Sequence, residues 1–270
     1  MTALPAPRPE RSHGAARLSF RRTGAWTKLA VLHQSGSAKA FVHPTGRGPE
    51  VVFLNTSGGM TGGDRLSFGV ALDAGCRVTA TTQTAERAYR SAAGVAEVEI
   101  RHEVGPGAHL DWLPQETILF DHSALQRRTT VSLAADASCL VLEAVVLGRA
   151  AMGETVRDLS FLDRREVLRD GRAVLVEPLR LTSAALAAGV GVLQGARAFA
   201  SLAFVAQGAE AALGRVRAVL DEPGVRAGAS GFDGKLVVRL MAADGWPLRR
   251  QLLRLLEVLR DGPVPRVWQM

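Results

Sequence analysis

The residues with the most unusual spacing lie at Asn55-Thr-Ser-Gly-Gly-Met-Thr-Gly-Gly-Asp64, after the apolar run Val51–Leu54. Paired glycines permit positive φ and close backbone approach, the geometry of an anion nest or of a tight crossover. No Gly-Lys-Ser/Thr follows, and the next segment alternates like a strand, so neither a phosphate loop nor a dinucleotide fingerprint is present. No Gly-x-Ser-x-Gly elbow occurs. Cys76 and Cys139 are the only cysteines. They exclude a disulfide framework and a cysteine zinc site, and they read as buried thiols. His102, His109 and His122 share a stretch with Glu103, Asp111, Glu116 and Asp121. Without His-Glu-x-x-His spacing, two readings stand: hydrogen-bonded strand-edge histidines, or a path of carboxylates and carbonyls for a divalent ion. No residue is assigned a catalytic role.

The elements that must position these groups belong to a chain of 270 residues, 47% hydrophobic and 22% charged. That length supports a sizeable core without crosslinks. The net charge is +7, and the ends carry it: +4 over residues 1–22 and +3 over 246–270, with the middle neutral. Aromatics are 5%, and no dense basic stripe with interleaved aromatics is visible, so nucleic-acid binding is not expected. Residues 1–14, rich in Pro and Arg, read as a disordered tail ahead of a single domain over 15–270. No apolar leader is seen in the first ten residues, and the glycine-broken stretch Leu181–Gly208 reads as core, so no membrane association is expected.

Period-two alternation dominates from Leu18 onward. Ala96–Val104 and Leu66–Leu72 are half-buried strands. Asp170-Gly171 and Asp233-Gly234 sit between apolar runs and mark hairpins. A strand–turn–strand unit recurs at Leu72–Gln83, Val104–Gln115 and, more loosely, Ala134–Val145. With Gly75, Gly107 and Ala137 as markers the steps are 32 and 30 residues. The period fits strand pairs stacked in a β-helix-like body, and equally an antiparallel sandwich with hairpins of equal length. Helices are expected late: Ala209–Leu220, and Pro247–Arg260 with a stripe at Leu248, Leu252, Leu255, Leu256 and Leu259. The arginines of the second helix lie off the stripe, as a solvated face or a docking face.

Four blocks in order resemble urease accessory proteins of the UreD (UreH) type: Ser57–Asp64; Thr81–Ser91; Trp112–Phe120 followed by Glu143–Arg149 and Gly153-Glu154; and Gly228–Ser230 with the ending Pro265–Trp268. Arg87 stands where that family commonly has lysine, which keeps the charge but not its geometry. The resemblance implies a mainly β, solenoid-like fold with two helices in the C-terminal half. It implies a cytoplasmic, non-catalytic chaperone that delivers nickel to apo-urease with UreF and UreG as partners. No cofactor would be tightly bound; Ni2+ would pass transiently along a polar internal route. On the matching positions the route acids are Asp64, Glu143 and Glu177, then Glu154 and Glu116. Trp268, Arg266 and Arg249 are expected at the surface that meets UreF. Two other readings of the same pattern are a β-solenoid enzyme acting on polysaccharide and a nucleic-acid module using the basic ends.

Overall fold

The computed structural model describes residues 11–188 and 191–269. Numbered in chain order, one seven-stranded sheet holds β1 (His13–Thr23), β2 (Trp26–Gly36), β5 (Arg65–Leu72), β8 (Ala96–Val104), β11 (Ser123–Leu133), β13 (Leu159–Arg169) and β14 (Arg172–Thr182). The facing ten-stranded sheet holds β3 (Ala38–His43), β4 (Glu50–Asn55), β6 (Arg77–Thr82), β7 (Glu86–Ala88), β9 (His109–Leu113), β10 (Thr117–Leu119), β12 (Ser138–Leu147), β15 (Ala198–Val205), β16 (Val225–Phe232) and β17 (Lys235–Ala242).

The centre is a stack of coils. β5, β8 and β11 run parallel in the first sheet, and β6, β9 and β12 run parallel in the second. Each coil passes to the second sheet at a tight turn and returns to the first by a longer connection, so the repeated unit read in the sequence spans one coil's tight turn and its flanking strands. Parallel stacking selects the solenoid-like body over the antiparallel sandwich; only flanking pairs such as β1–β2, β13–β14 and β15–β17 are antiparallel. Leu72 pairs with Val104, and Val104 with Leu133, so the true steps are 32 and 29 residues. Asp136, not Ala137, stands where the other turns place Gly75 and Gly107, and its Oδ1 accepts the Gly107 amide at 2.8 Å. That carboxylate joins one coil to the next.

Alternation explains the interior. In β8 the residues Ala96, Val98, Ile100, His102 and Val104 are buried, and the charged residues between them face outward. The main core lies between the sheets, and a second lies on the outer face of the ten-stranded sheet. Three helices are found among the described residues: α1 (Ser183–Ala187), α2 (Leu213–Arg217) and α3 (Gly245–Leu259). α3 is the expected C-terminal helix; the Asp244 side chain caps it by accepting the Trp246 amide at 2.9 Å. Its leucines cover β15 and β17 and build the second core. The helix expected over 209–220 is shorter. A 3-10 turn, Ala209–Ala212, leads into α2, in a segment where Gly214 weakens helix propagation. Both Asp-Gly pairs form hairpin turns with positive φ at each residue, the type I′ geometry.

The body starts at β1, so His13 and Gly14, expected in the tail, belong to a strand. Residues 1–10 of that expected tail lie outside the described residues. Among the described residues no helix is long and apolar enough to cross a membrane.

Candidate functional site: a buried charged line between the sheets

Among the described residues, the charged side chains buried between the sheets concentrate in one region. On the seven-stranded sheet Arg127 (β11), Asp163 and Arg165 (β13) and Glu177 (β14) point into the layer; Glu143 (β12), Ser201 (β15) and Arg239 (β17) face them. Register brings them together: Arg127 pairs with Asp163, Arg165 with Glu177, Glu143 with Ser201, and Ser201 with Arg239.

Arg127 is the hub. Its guanidinium grips Asp163 through two bonds (Nε to Oδ1 3.0 Å, Nη2 to Oδ2 2.8 Å) and donates to Thr117 Oγ1 at 3.0 Å. Nη1 also lies 2.7 Å from Glu143 Oε2. Trp112 Nε1 donates to the other Glu143 oxygen at 3.1 Å. Arg165 continues the line, with Nε 3.7 Å from Asp163 and Nη2 3.4 Å from Glu177. Glu177 accepts from Ser201 Oγ at 3.0 and 3.1 Å and from Arg239 Nη2 at 2.8 Å. Three cations meet three carboxylates. Six of the seven side chains are buried; Arg239 is 72% exposed and forms the mouth.

Burial would strip the proton from Arg127, but Asp163 first and Glu143 second hold it there, pushing the guanidinium above its ordinary value. Burial pushes Glu143 up although Arg127 pulls it down. The two shifts point to opposite states of Glu143. The 2.7 Å contact and the always-protonated guanidinium decide for an ionised pair.

Several buried polar atoms in or near this line lack a hydrogen bond: both ring nitrogens of His102, Ser123 Oγ, Thr129 Oγ1, Arg165 Nε and Glu143 Oε2, whose contact with Arg127 is close in distance but not aligned as a hydrogen bond. His102 packs on Trp112, ring centroids 4.7 Å apart, and burial lowers its pKa to about 3. Among the described residues no cluster of three or more His, Cys, Asp or Glu has metal-holding geometry.

The five route acids therefore separate. Glu143 and Glu177 join one network through Asp163 and Arg165. Asp64 does not: its two oxygens accept the amides of Ser12 and Thr61 at 2.8 Å each, closing the glycine loop. That loop is a tight crossover laid along β7 and Tyr89. Met60 and Tyr89 exchange backbone bonds with their neighbours, and a Cβ on Gly59 would sit 2.3 Å from the Tyr89 ring. Glu154 accepts from Asp121 N (3.1 Å), Arg149 N (3.1 Å) and Arg149 Nε (2.8 Å). Glu116 is part-exposed, 3.8 Å from Arg249.

Sequence reasoning missed Arg127, Asp163 and Arg165. Period-two phase was the available signal, because all three occupy inward positions in strands that otherwise bury apolar residues there, with only Ser123 and Thr129 of β11 as small polar exceptions. It also missed Glu86, which accepts from Asn55 Nδ2 at 3.4 and 3.5 Å and which burial raises to about 7.

The expected partner anchor Trp268 is corrected by its environment. The ring is 2% exposed in the second core, and Nε1 donates to Leu113 O at 3.0 Å. Arg249 lies over that ring at 4.8 Å and bonds Gln115 Oε1 at 2.6 Å. Both residues clamp the chain end onto β9, because the turn at Arg266–Trp268 folds the indole inward. Arg266 is exposed. The arginines of α3 are also engaged: Arg250 with Glu222 at 2.5 Å, Arg254 with Asp221, and, just past its end, Arg260 with Asp111 at 2.8 Å. They do not form a free basic stripe.

A stacked-strand body with one internal line of balanced charge is found together with extensive likeness to one class, the urease accessory proteins. Proteins named urease accessory protein UreD from Cereibacter sphaeroides and Paracoccus denitrificans are 60% and 50% identical to the chain, covering 100% and 99% of it and 100% and 96% of their own lengths. One from Rhizobium leguminosarum is 48% identical over the full length of both. The family model described as UreD urease accessory protein matches residues 12–269. The chain belongs to the UreD family.

Proposed function

We propose that this protein is a chaperone for nickel insertion into apo-urease, with no catalytic step in the transfer of the metal itself. It works in the cytoplasm in a complex with UreF, UreG and apo-urease, and the cargo passes along the line from Glu177 to Glu143. The observation that carries this reading is that line, a set of buried carboxylates continuous with solvent at Arg239. Carboxylates and hydroxyls give weak, exchangeable contacts to a divalent ion. With association near ~10⁸ per molar per second, a micromolar site releases about a hundred times a second and a nanomolar one about once in ten seconds. A conduit needs the first behaviour. The arginines pair with the acids while no cargo is present, and each ion exchanges for a guanidinium contact as it moves. Asp64, Glu154 and Glu116 stand outside the line, so a longer route would recruit them only by local rearrangement.

The test is co-expression with UreF, UreG and apo-urease, followed by pull-down and metal analysis. Glu177→Ala should leave the complex intact and lower the nickel content of urease, and Asp64→Ala should do so if the route extends to the glycine loop. Loss of the complex in Glu177→Ala, or unchanged nickel, overturns the role of the line.

A further inference from the structure

A second polar cluster lies on the outer face of the ten-stranded sheet. Parallel register sets Arg77, His109 and Ser138 in one row across β6, β9 and β12, and Thr79 beside Asp111 in the next. Val78, Leu110 and Cys139 point the other way, into the main core. His109 Nδ1 lies 2.7 Å from Ser138 Oγ, and Nε2 lies 3.0 Å from Asp111 Oδ1. Asp111 is fixed in turn by Arg260 Nε at 2.8 Å and Thr79 Oγ1 at 3.0 Å. Burial alone would raise the Asp111 carboxyl, but the bonds from His109 and Arg260 hold it at about 2.

The tautomer follows. An ionised carboxylate only accepts, so in the neutral imidazole the proton sits on Nε2. Nδ1 then presents its lone pair to Ser138, and the hydroxyl must donate. Nucleophile, base and orienting acid are each within hydrogen-bond reach of the next. The cluster floors an open groove of about 910 Å³. Ser138 and His109 are part-exposed, and Arg77 is exposed in the same row.

We infer that Ser138, His109 and Asp111 form a nucleophilic site that takes the acyl group of small carboxylic esters. Ser138 Oγ bonds to the ester carbonyl carbon as its proton passes to His109 Nδ1, and the carbonyl π pair moves onto oxygen, where the Arg77 guanidinium meets the charge. Collapse of this adduct breaks the carbon–alkoxy bond. The leaving alcohol takes the proton from His109, and Ser138 remains as an ester. Water then attacks by the same route, releasing the carboxylic acid and restoring the hydroxyl. Asp111 stabilises the imidazolium through Nε2–H in both halves. This site is separate from the charged line and does not depend on the nickel reading.

The full chain is incubated with a fluorophosphonate probe, the labelled residue is mapped by mass spectrometry, and p-nitrophenyl acetate turnover is followed in parallel. Ser138 should carry the label, and Ser138→Ala should lose both label and turnover while keeping wild-type circular dichroism. His109→Gln, which retains the serine, should slow labelling by about 100-fold. Arg77→Met should slow it by about tenfold with the label still on Ser138. An unlabelled Ser138, turnover surviving in Ser138→Ala, or a His109→Gln rate within about threefold of wild type overturns the assignment.

Discussion

Replacing Arg127 by Met tests the account of the buried line most directly. Methionine keeps the length of the side chain and deletes its charge. Wild-type Arg127 makes two bonds to Asp163, one to Thr117 and a 2.7 Å ion pair with Glu143. Both carboxylates are 3% exposed, so water cannot take the place of the guanidinium. Leaving buried charges without their partner costs about 3–5 kcal/mol, against a total of about 5–15 kcal/mol for a typical domain. Part of that loss is relieved by proton uptake. In the variant at least one carboxyl titrates above its unfolded value, so the folded state binds a proton that the unfolded state has released. Stability then falls as pH rises, by up to about 1.4 kcal/mol per pH unit for each such proton. Urea unfolding followed by tryptophan fluorescence at pH 5 and pH 8 reads both quantities, since Trp112 touches Glu143. The variant should lose about 3 kcal/mol or more at pH 8 and less at pH 5. Adding Glu143→Met and Asp163→Leu should restore most of the loss, because an apolar layer has no charge to strand. A loss under about 1 kcal/mol, or one equal at both pH values, refutes the reasoning.

Two further outcomes follow from the titratable groups. Burial raises Glu86 from 4.5 to about 7, so this residue lowers the stability of the fold as pH rises through that window; Glu86→Gln should raise Tm at pH 8 and leave it unchanged at pH 4, and equal shifts at both would refute this. His102 stays neutral in the fold down to about pH 3 while its unfolded form takes a proton below about 6.5. His102→Leu should therefore gain about 1–2 kcal/mol at pH 8 by removing two unmade hydrogen bonds, and more at pH 5; destabilisation in urea melts would show that the ring has a partner in solution.

Much of the fold was legible because turns announce themselves. Asp170-Gly171, Asp233-Gly234, Gly75 and Gly107 adopt positive φ, and those residue types tolerate it. The third turn has Asp136 in place of glycine, which is why its step was read one residue long. α3 was legible from its leucine stripe. Identity of the line was half legible: Glu143 and Glu177 were named, but the arginines that neutralise them were not, since a single inward Arg in a strand looks like a solvated one until its register partner is known. Trp268 was misplaced because four residues of irregular chain do not say which way an indole turns. Ser138 and His109 are 29 positions apart, and only the coil length makes them neighbours.

Because Arg239 alone among the charged groups of the line reaches solvent, dissolved ions act on this chain unevenly. Mobile electrolyte at physiological strength screens over about 8 Å, which weakens the outermost Arg239–Glu177 contact and leaves the dry Arg127 junction untouched. Raising ionic strength thus loosens the doorway without melting the corridor behind it.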